Sequence, residues 1–328
     1  MNIARRIAWD DTILPFQLDR ADVRGRVVRL DSVLERILGQ HDYPAPVAGL
    51  VAEAALLTAL IGQAIKLRWK LSLQIRGQGP IRLIATDYFG PTVDGGAAEM
   101  RAYADFDADA LTQGEGLGLI GEGIFAILID QGPGTVPYQG LTPLSGTSLA
   151  DCAATYFAQS EQLPTRFALA MGEAAAPADA ARWRGGAIML QHLPGSSHEA
   201  VQEASGQAGL LAPEDMLNDA AEEKWTRAVT LMNTVEETEL IGPQVGADDL
   251  LLRLFHEETP RVFEAQPVRF GCTCSPEKVT DSLAHCSVEE IAAMVTPGGK
   301  VTADCQFCGA HYAFDPAALG EGAERSGD

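Results

Sequence analysis

The sequence lacks a basic excess: 45 Asp and Glu outnumber 24 Lys and Arg, leaving a net charge of −21 and a pI near 4.6. A nucleic-acid surface needs clustered cations that displace phosphate counterions, so no nucleic-acid partner is expected. Aromatic residues are sparse at 6%, although apolar residues reach 46%, enough for a sizeable core. The opening stretch MNIARRIAWDDTILPF meets Asp10 and Asp11 before any long apolar run, which does not match a secretory signal. Long hydrophobic runs are confined to VAGLVAEAALLTALIGQAIK, residues 47–66, which carries Glu53 and Gln63. A carboxylate in mid-span costs roughly 2.5–3.5 kcal/mol, so this run reads as a buried core helix and no membrane partner is expected. Catalytic constellations are missing too: there is no Ser-His-Asp arrangement and no P-loop. GQGPIR reads as a strand turn, and GEGLGLIGEG lacks the lysine that a phosphate loop needs. The chain is therefore not expected to be an enzyme, and a reducing cytoplasmic setting is expected for its six cysteines.

A length of 328 residues exceeds a typical single domain. Residues 1–194 read as a mixed α+β core. Strand character marks 70–76, 81–87, 100–106 and 124–130, with glycine-rich turns between. Helices are expected after Asp31 and Ser32, over 47–66, and from the cap in TSLAD at 147–151. Most strands follow one another through turns rather than alternating with helices, which favours α+β over a doubly wound parallel sheet. Residues 195–271 read as an acidic linker, with fifteen Asp or Glu against five Lys or Arg. Its start, 199–218, reads as loop. Trp225, Val229, Met232 and Val235 then fall at helical spacing, and a short helix follows a cap at Asp248, with Leu250, Leu251, Leu254 and Phe255 on one side. These few apolar positions mean that docking, expected against the cysteine-rich fold beyond, must supply most of the linker's order.

Residues 272–317 hold the chemistry. Cys272 and Cys274 form C-x-C, and thirty residues later Cys305 and Cys308 form C-x-x-C. Four thiolates in two short pairs make a complete tetrahedral set for one zinc ion (Zn2+). Gly309 after the last cysteine suits the tight turn of a metal knuckle. A closed four-sulfur site leaves no open position for a catalytic zinc. Cys152 reads as core, His311 as packing rather than a ligand, and Cys286 beside His285 as surplus to a filled site. Each pair is also close enough along the chain to oxidise internally, which would release the metal. A structural zinc contributes roughly 10–16 kcal/mol to a small metal domain, so its loss should unfold this segment, and the docked linker could follow. Residues 318–328 read as a disordered tail.

The runs HDYPAPV (41–47), YFAQSEQLPTR (156–166), LFHEE (254–258), CTCS (272–275) and CQFCGAHYAF (305–314) together resemble the heat-shock protein 33 family of redox-regulated cytoplasmic chaperonins. The resemblance implies an ATP-independent holdase for unfolding client proteins, inactive while reduced and zinc-bound. It implies zinc on Cys272, Cys274, Cys305 and Cys308, and on oxidation the disulfides Cys272–Cys274 and Cys305–Cys308, zinc release, linker unfolding and a client-binding homodimer. This chain departs from the family in its longer Gly- and Ala-rich linker start and in Cys286, which leaves a mixed disulfide, for instance with Cys274, open. The alternative is a constitutive protein-binding module in which zinc is only a structural stud.

Overall fold

The computed structural model describes residues 10–93, 95–111, 114–174, 182–193 and 213–320. The chain separates into two compact units between Phe270 and Gly271. In the first, eleven strands form one sheet: β1 (Thr12–Leu18), β2 (Val23–Leu30), β3 (Lys70–Gly77), β4 (Ile81–Phe89), β5 (Ala98–Phe106), β6 (Gly123–Asp130), β7 (Tyr138–Pro143), β8 (Thr165–Ala174), β9 (Arg182–His192), β10 (Pro260–Val262) and β11 (Gln266–Phe270). The order is β7-β6-β3-β4-β5-β11-β1-β2-β9-β8, with β10 also on β1. The four strands expected from their partly alternating, partly continuous apolar patterns are β3 to β6. β3, β4 and β5 pair antiparallel through local turns, and β6 comes back to pair antiparallel with β3, in keeping with an α+β reading.

Strands β1, β2, β8 and β9 were not anticipated, and their residues show why. Pro15 lies inside β1, Gly25 inside β2, and Arg26 and Arg29 are buried where a strand pattern leads one to expect apolar side chains. Both faces of this group are apolar. Ile13, Val28, Ala187 and Met189 face helix α2 (Ala45–Ala64), whereas their neighbours Leu14, Phe16, Leu18, Val27, Ile188 and Leu190 face the other way. Helix α2 is the 47–66 run. It is long and apolar enough to cross a membrane, yet it is largely buried among the strands, as Leu56, Leu57, Leu60 and Ile61 at 0% exposure show. Helices α1 (Ser32–Leu38) and α3 (Leu149–Tyr156) complete that layer, α3 capped by Ser148 accepting from the Asp151 N–H.

The second apolar face is covered by the acidic linker. Helix α4 runs over Pro213–Met232, so helix begins within the stretch read as loop; residues 194–212 lie outside the described part. Helices α5 (Glu237–Ile241) and α6 (Ala247–Phe255) follow. Helix α6 starts at Ala247 after Gly246, which places Asp248 and Asp249 in the first turn, where the positive helix end favours them, rather than at the cap. Ala228, Met232, Leu240, Leu250, Leu251, Leu254 and Phe255 are buried against Leu14, Phe16, Leu18 and Val23. The linker thus docks within the first unit, on the sheet. The reason is the two-sided β1-β2-β9-β8 group, whose second face requires a cover. Strand β11 then locks the linker's end into the sheet, antiparallel to β1 and parallel to β5.

The second unit contains α7 (Pro276–Leu283), α8 (Val288–Ala293) and the hairpin β12 (Val301–Asp304) and β13 (His311–Phe314). Its core is small: Ile291, Val301 and Leu319, with Leu283, Cys286, Val295 and Phe314 against them. Leu319 is 4% exposed, so the folded chain continues past 317 to Gly320; residues 321–328 lie outside the described part.

Candidate metal centre

The hairpin β12–β13 carries one cysteine pair at its tip. Asp304 pairs with His311, and between them the chain turns through Cys305 and Cys308. The Cys308 and Gly309 N–H groups donate to the Cys305 carbonyl at 3.3 and 2.8 Å, and the Cys305 N–H donates to the Ala310 carbonyl at 2.9 Å. Gly309 has φ +66, the left-handed conformation that lets this knuckle close, as its position in the sequence suggested. The other pair lies just before α7. Ser275 caps that helix by accepting from the Lys278 N–H, which fixes the direction of the Cys272–Cys274 segment.

These two segments bring four sulfurs together. The Sγ atoms of Cys272, Cys274, Cys305 and Cys308 all lie within 4.8 Å of one another, with 3.7 Å between Cys272 and Cys305 and 3.4 Å between Cys274 and Cys308. Zinc–sulfur bonds of about 2.3 Å in a tetrahedron put sulfurs about 3.8 Å apart, so the cluster fits such an ion and could hold a metal. All four are half-buried. Burial, reinforced by the neighbouring thiols, pushes Cys308 up to about 12 and raises Cys305. Thiols so crowded resist ionising on their own, and a divalent cation reverses that preference. The Tyr312 hydroxyl donates to Cys274 Sγ at 3.1 Å, a neighbour of the cluster not foreseen from the sequence.

The remaining candidates fall outside the cluster. His311 Nδ1 hydrogen-bonds Asp304 Oδ1 at 2.6 Å across the hairpin, and its side chain is exposed rather than packed. Cys286 faces the small core of the second unit. Cys152 is buried at 0% exposure in α3, donating to the Ser145 carbonyl at 3.1 Å, and burial raises its thiol. Two buried charges of the first unit also escaped the sequence reading. Arg29, 3% exposed, donates from Nε, Nη1 and Nη2 to the carbonyls of Leu240, Val245 and Glu239 at 3.1, 2.5 and 2.7 Å. Glu258, 0% exposed, pairs with Arg227 of α4. Alternating arginines and the run LFHEE held the signal, but only the packed linker gives it meaning.

A profile of the family described as Hsp33 protein matches residues 11–315. The 33 kDa chaperonin of Caulobacter vibrioides is 38% identical over 314 residues, covering 94% of this chain and 95% of that protein. The 33 kDa chaperonins of Azotobacter vinelandii and Serratia proteamaculans are 36% and 32% identical, over 92% and 93% of this chain and 90% and 92% of theirs. The crystal structure of the 33 kDa chaperonin (heat shock protein 33 homolog) of Thermotoga maritima shares the fold, with a TM-score of 0.70, 21% identity, and coverage of 93% of this chain and 95% of that one. On the match along nearly its whole length, this chain belongs to the Hsp33 family.

Proposed function

We propose that this protein is a redox-regulated, ATP-independent chaperone that holds unfolding proteins under oxidative stress. The observation that carries the reading is the cluster of four thiols on two short segments, in a unit whose described residues form only a small core besides. Cys272, Cys274, Cys305 and Cys308 hold one zinc ion in the reduced protein. Bound there, zinc supplies the folding energy that the small core does not. Oxidation converts the thiolates into the disulfides Cys272–Cys274 and Cys305–Cys308. Each S–S bond forms by loss of two electrons to a hydroperoxide, so two equivalents are consumed, and every metal donor is lost.

The linker is the output. It lies over the face formed by Leu14, Phe16, Leu18, Val23, Val27, Ile188 and Leu190. Each such side chain gains about 1.5–3 kcal/mol from burial, so uncovering the face frees a surface with a large appetite for apolar segments. A net charge of −10 over residues 195–271 keeps the released linker soluble while that face is open. Partners are thus unfolding proteins of many sequences, held by a homodimer of the oxidised chain in the cytoplasm.

The test is a peroxide titration of the reduced protein. Zinc release and suppression of client aggregation are followed in one sample, with and without ATP. Release of one zinc per chain in step with holding activity, indifferent to ATP, is the expected result. Holding activity at full strength with the metal still bound favours the constitutive module, and a need for nucleotide hydrolysis contradicts the chaperone reading itself.

A further inference from the structure

We infer that a cavity between α2, β6 and the turn after α3 binds a small zwitterion with an apolar side chain, an aliphatic α-amino acid such as leucine. This site is separate from the thiol cluster and does not depend on the redox reading. The cavity measures about 150 Å³ and lies within the first unit. Ile61 and Ile65 at the end of α2, Ile127 and Ile129 of β6, and Phe157 and Leu163 after α3 line it. An apolar cavity of about that volume admits benzene, so this one has room for a leucine side chain. One wall comes from the run YFAQSEQLPTR, to which the thiol switch gives no part. After α3 ends at Tyr156 the chain makes one π-helical turn, Phe157–Glu161, and Gln162 follows with φ +53. A widened turn and a left-handed glutamine are both unfavourable local choices, of a kind that concentrates at functional sites. Here they bring Phe157, Glu161 and Leu163 to one cavity.

The polar side of the cavity carries one cation and one anion, each held by a buried neutral partner. Arg24 of β2 donates from Nε to Gln191 Oε1 of β9 at 3.2 Å, and Gln191 is buried. Glu161 Oε1 accepts from the hydroxyl of buried Tyr156 at 3.4 Å. Among the described residues, no carboxylate pairs with Arg24 and no cation pairs with Glu161, nor do the two pair with each other. A ligand of single charge would meet one complementary group here and one like charge. A zwitterion satisfies both, its carboxylate on the remaining guanidinium nitrogens of Arg24 and its ammonium on the Glu161 carboxylate. The isoleucines then take the alkyl chain, where a polar side chain would lose its hydration without gaining a partner. Arg24 and Gln191 belong to the β2-β9 end of the sheet and Ile127 and Ile129 to β6 near the other end. A bound ligand therefore ties the two ends together and stabilises the folded first unit by mass action.

The test is calorimetric titration of the full-length reduced protein with L-leucine and three analogues. These are 4-methylpentanoate, which lacks the ammonium, 3-methylbutylamine, which lacks the carboxylate, and L-serine, which lacks the apolar side chain. Leucine is expected to bind at one site per chain with a dissociation constant below about 1 mM, and each analogue at least roughly tenfold more weakly. Arg24→Met and Glu161→Gln should weaken leucine binding by roughly the same factor, and Ile129→Phe, whose ring fills the space, should abolish it. Hydrogen exchange on the unsubstituted protein locates the ligand, since leucine should slow the amides of residues 156–163. The analogues and the exchange experiment use the unsubstituted protein, so both the charge requirement and the place of binding are decided whether or not a variant folds. Absence of saturable leucine binding at millimolar concentration overturns the inference. So does an analogue missing either charge that binds as tightly as leucine, or leucine binding that leaves residues 156–163 unaffected.

Discussion

Arg29 bridges the sheet and the linker through its whole guanidinium, with three donors on three carbonyls of the 239–245 turn. Burial and the nearby Arg184 lower its pKa, but from so high a starting value that it remains charged. Gly186 of the adjacent β9 completes the contact, since a Cβ there would lie 2.0 Å from the Leu240 carbonyl oxygen. Replacing Arg29 by Met removes the donors and strands buried acceptors, each worth about 1–3 kcal/mol. Arg29→Met should leave zinc at one per chain, yet admit protease into residues 237–255 and allow holding activity without oxidant. Arg29→Lys should fall between, because an ammonium lacks the planar fork. Resistance of the reduced Arg29→Met protein to cleavage there would show that the turn holds by other means. Among the cysteines, Cys305→Ser should abolish stoichiometric zinc, whereas Cys152→Ser should retain it, as total metal analysis will tell. The thiol set was legible in the sequence because its pattern is local, with ligands in two short pairs. Arg29 and Tyr312 were not, because their partners are 211 and 38 residues away.

Helix α6 presents a continuous apolar face within the linker. Leu250, Leu251, Leu254 and Phe255 recur at helical spacing and are all buried, whereas Leu252 between them is 55% exposed. Truncating a buried leucine costs about 2–5 kcal/mol, a sizeable share of a domain's total of about 5–15. Leu251→Ala should therefore lower the oxidant dose needed for holding activity and the melting temperature of the linker. Leu252→Ala should change neither, as a peroxide titration and a thermal scan of the two variants will show. The face was readable from periodicity alone. What it covers was not, since strands such as VRGRVVRL hide their pattern behind arginines and a glycine that make sense only once packed.

At the scale of the molecule, two units of unequal self-sufficiency share one chain. The first has a large sheet wrapped around α2, with a second cluster under the linker. Among its described residues, the second has three buried apolar side chains, Ile291, Val301 and Leu319. At about 1.5–3 kcal/mol each, they fall far short of the roughly 1–2 kcal/mol per residue needed to order the backbone around them. A chelator strong enough to strip the reduced protein should therefore unfold residues 272–320 and leave residues 70–130 intact, readable as selective loss of amide protection; a second unit that stays folded without metal would refute this. The α+β class was evident from the turn-linked strands. The joining of the sheet's two halves through β11 was not, because Pro267 and a span of only five residues conceal that strand.

The most direct test of the switch is hydrogen exchange on the full-length protein, reduced and then oxidised to the point of full holding activity. The account predicts that amides of 213–262 lose protection together with 272–320. It predicts that β3 to β6 keep theirs, and that Gln266–Phe270, paired on both sides, also remains protected. An oxidised protein that holds clients while helices α4 to α6 stay as protected as before would contradict it.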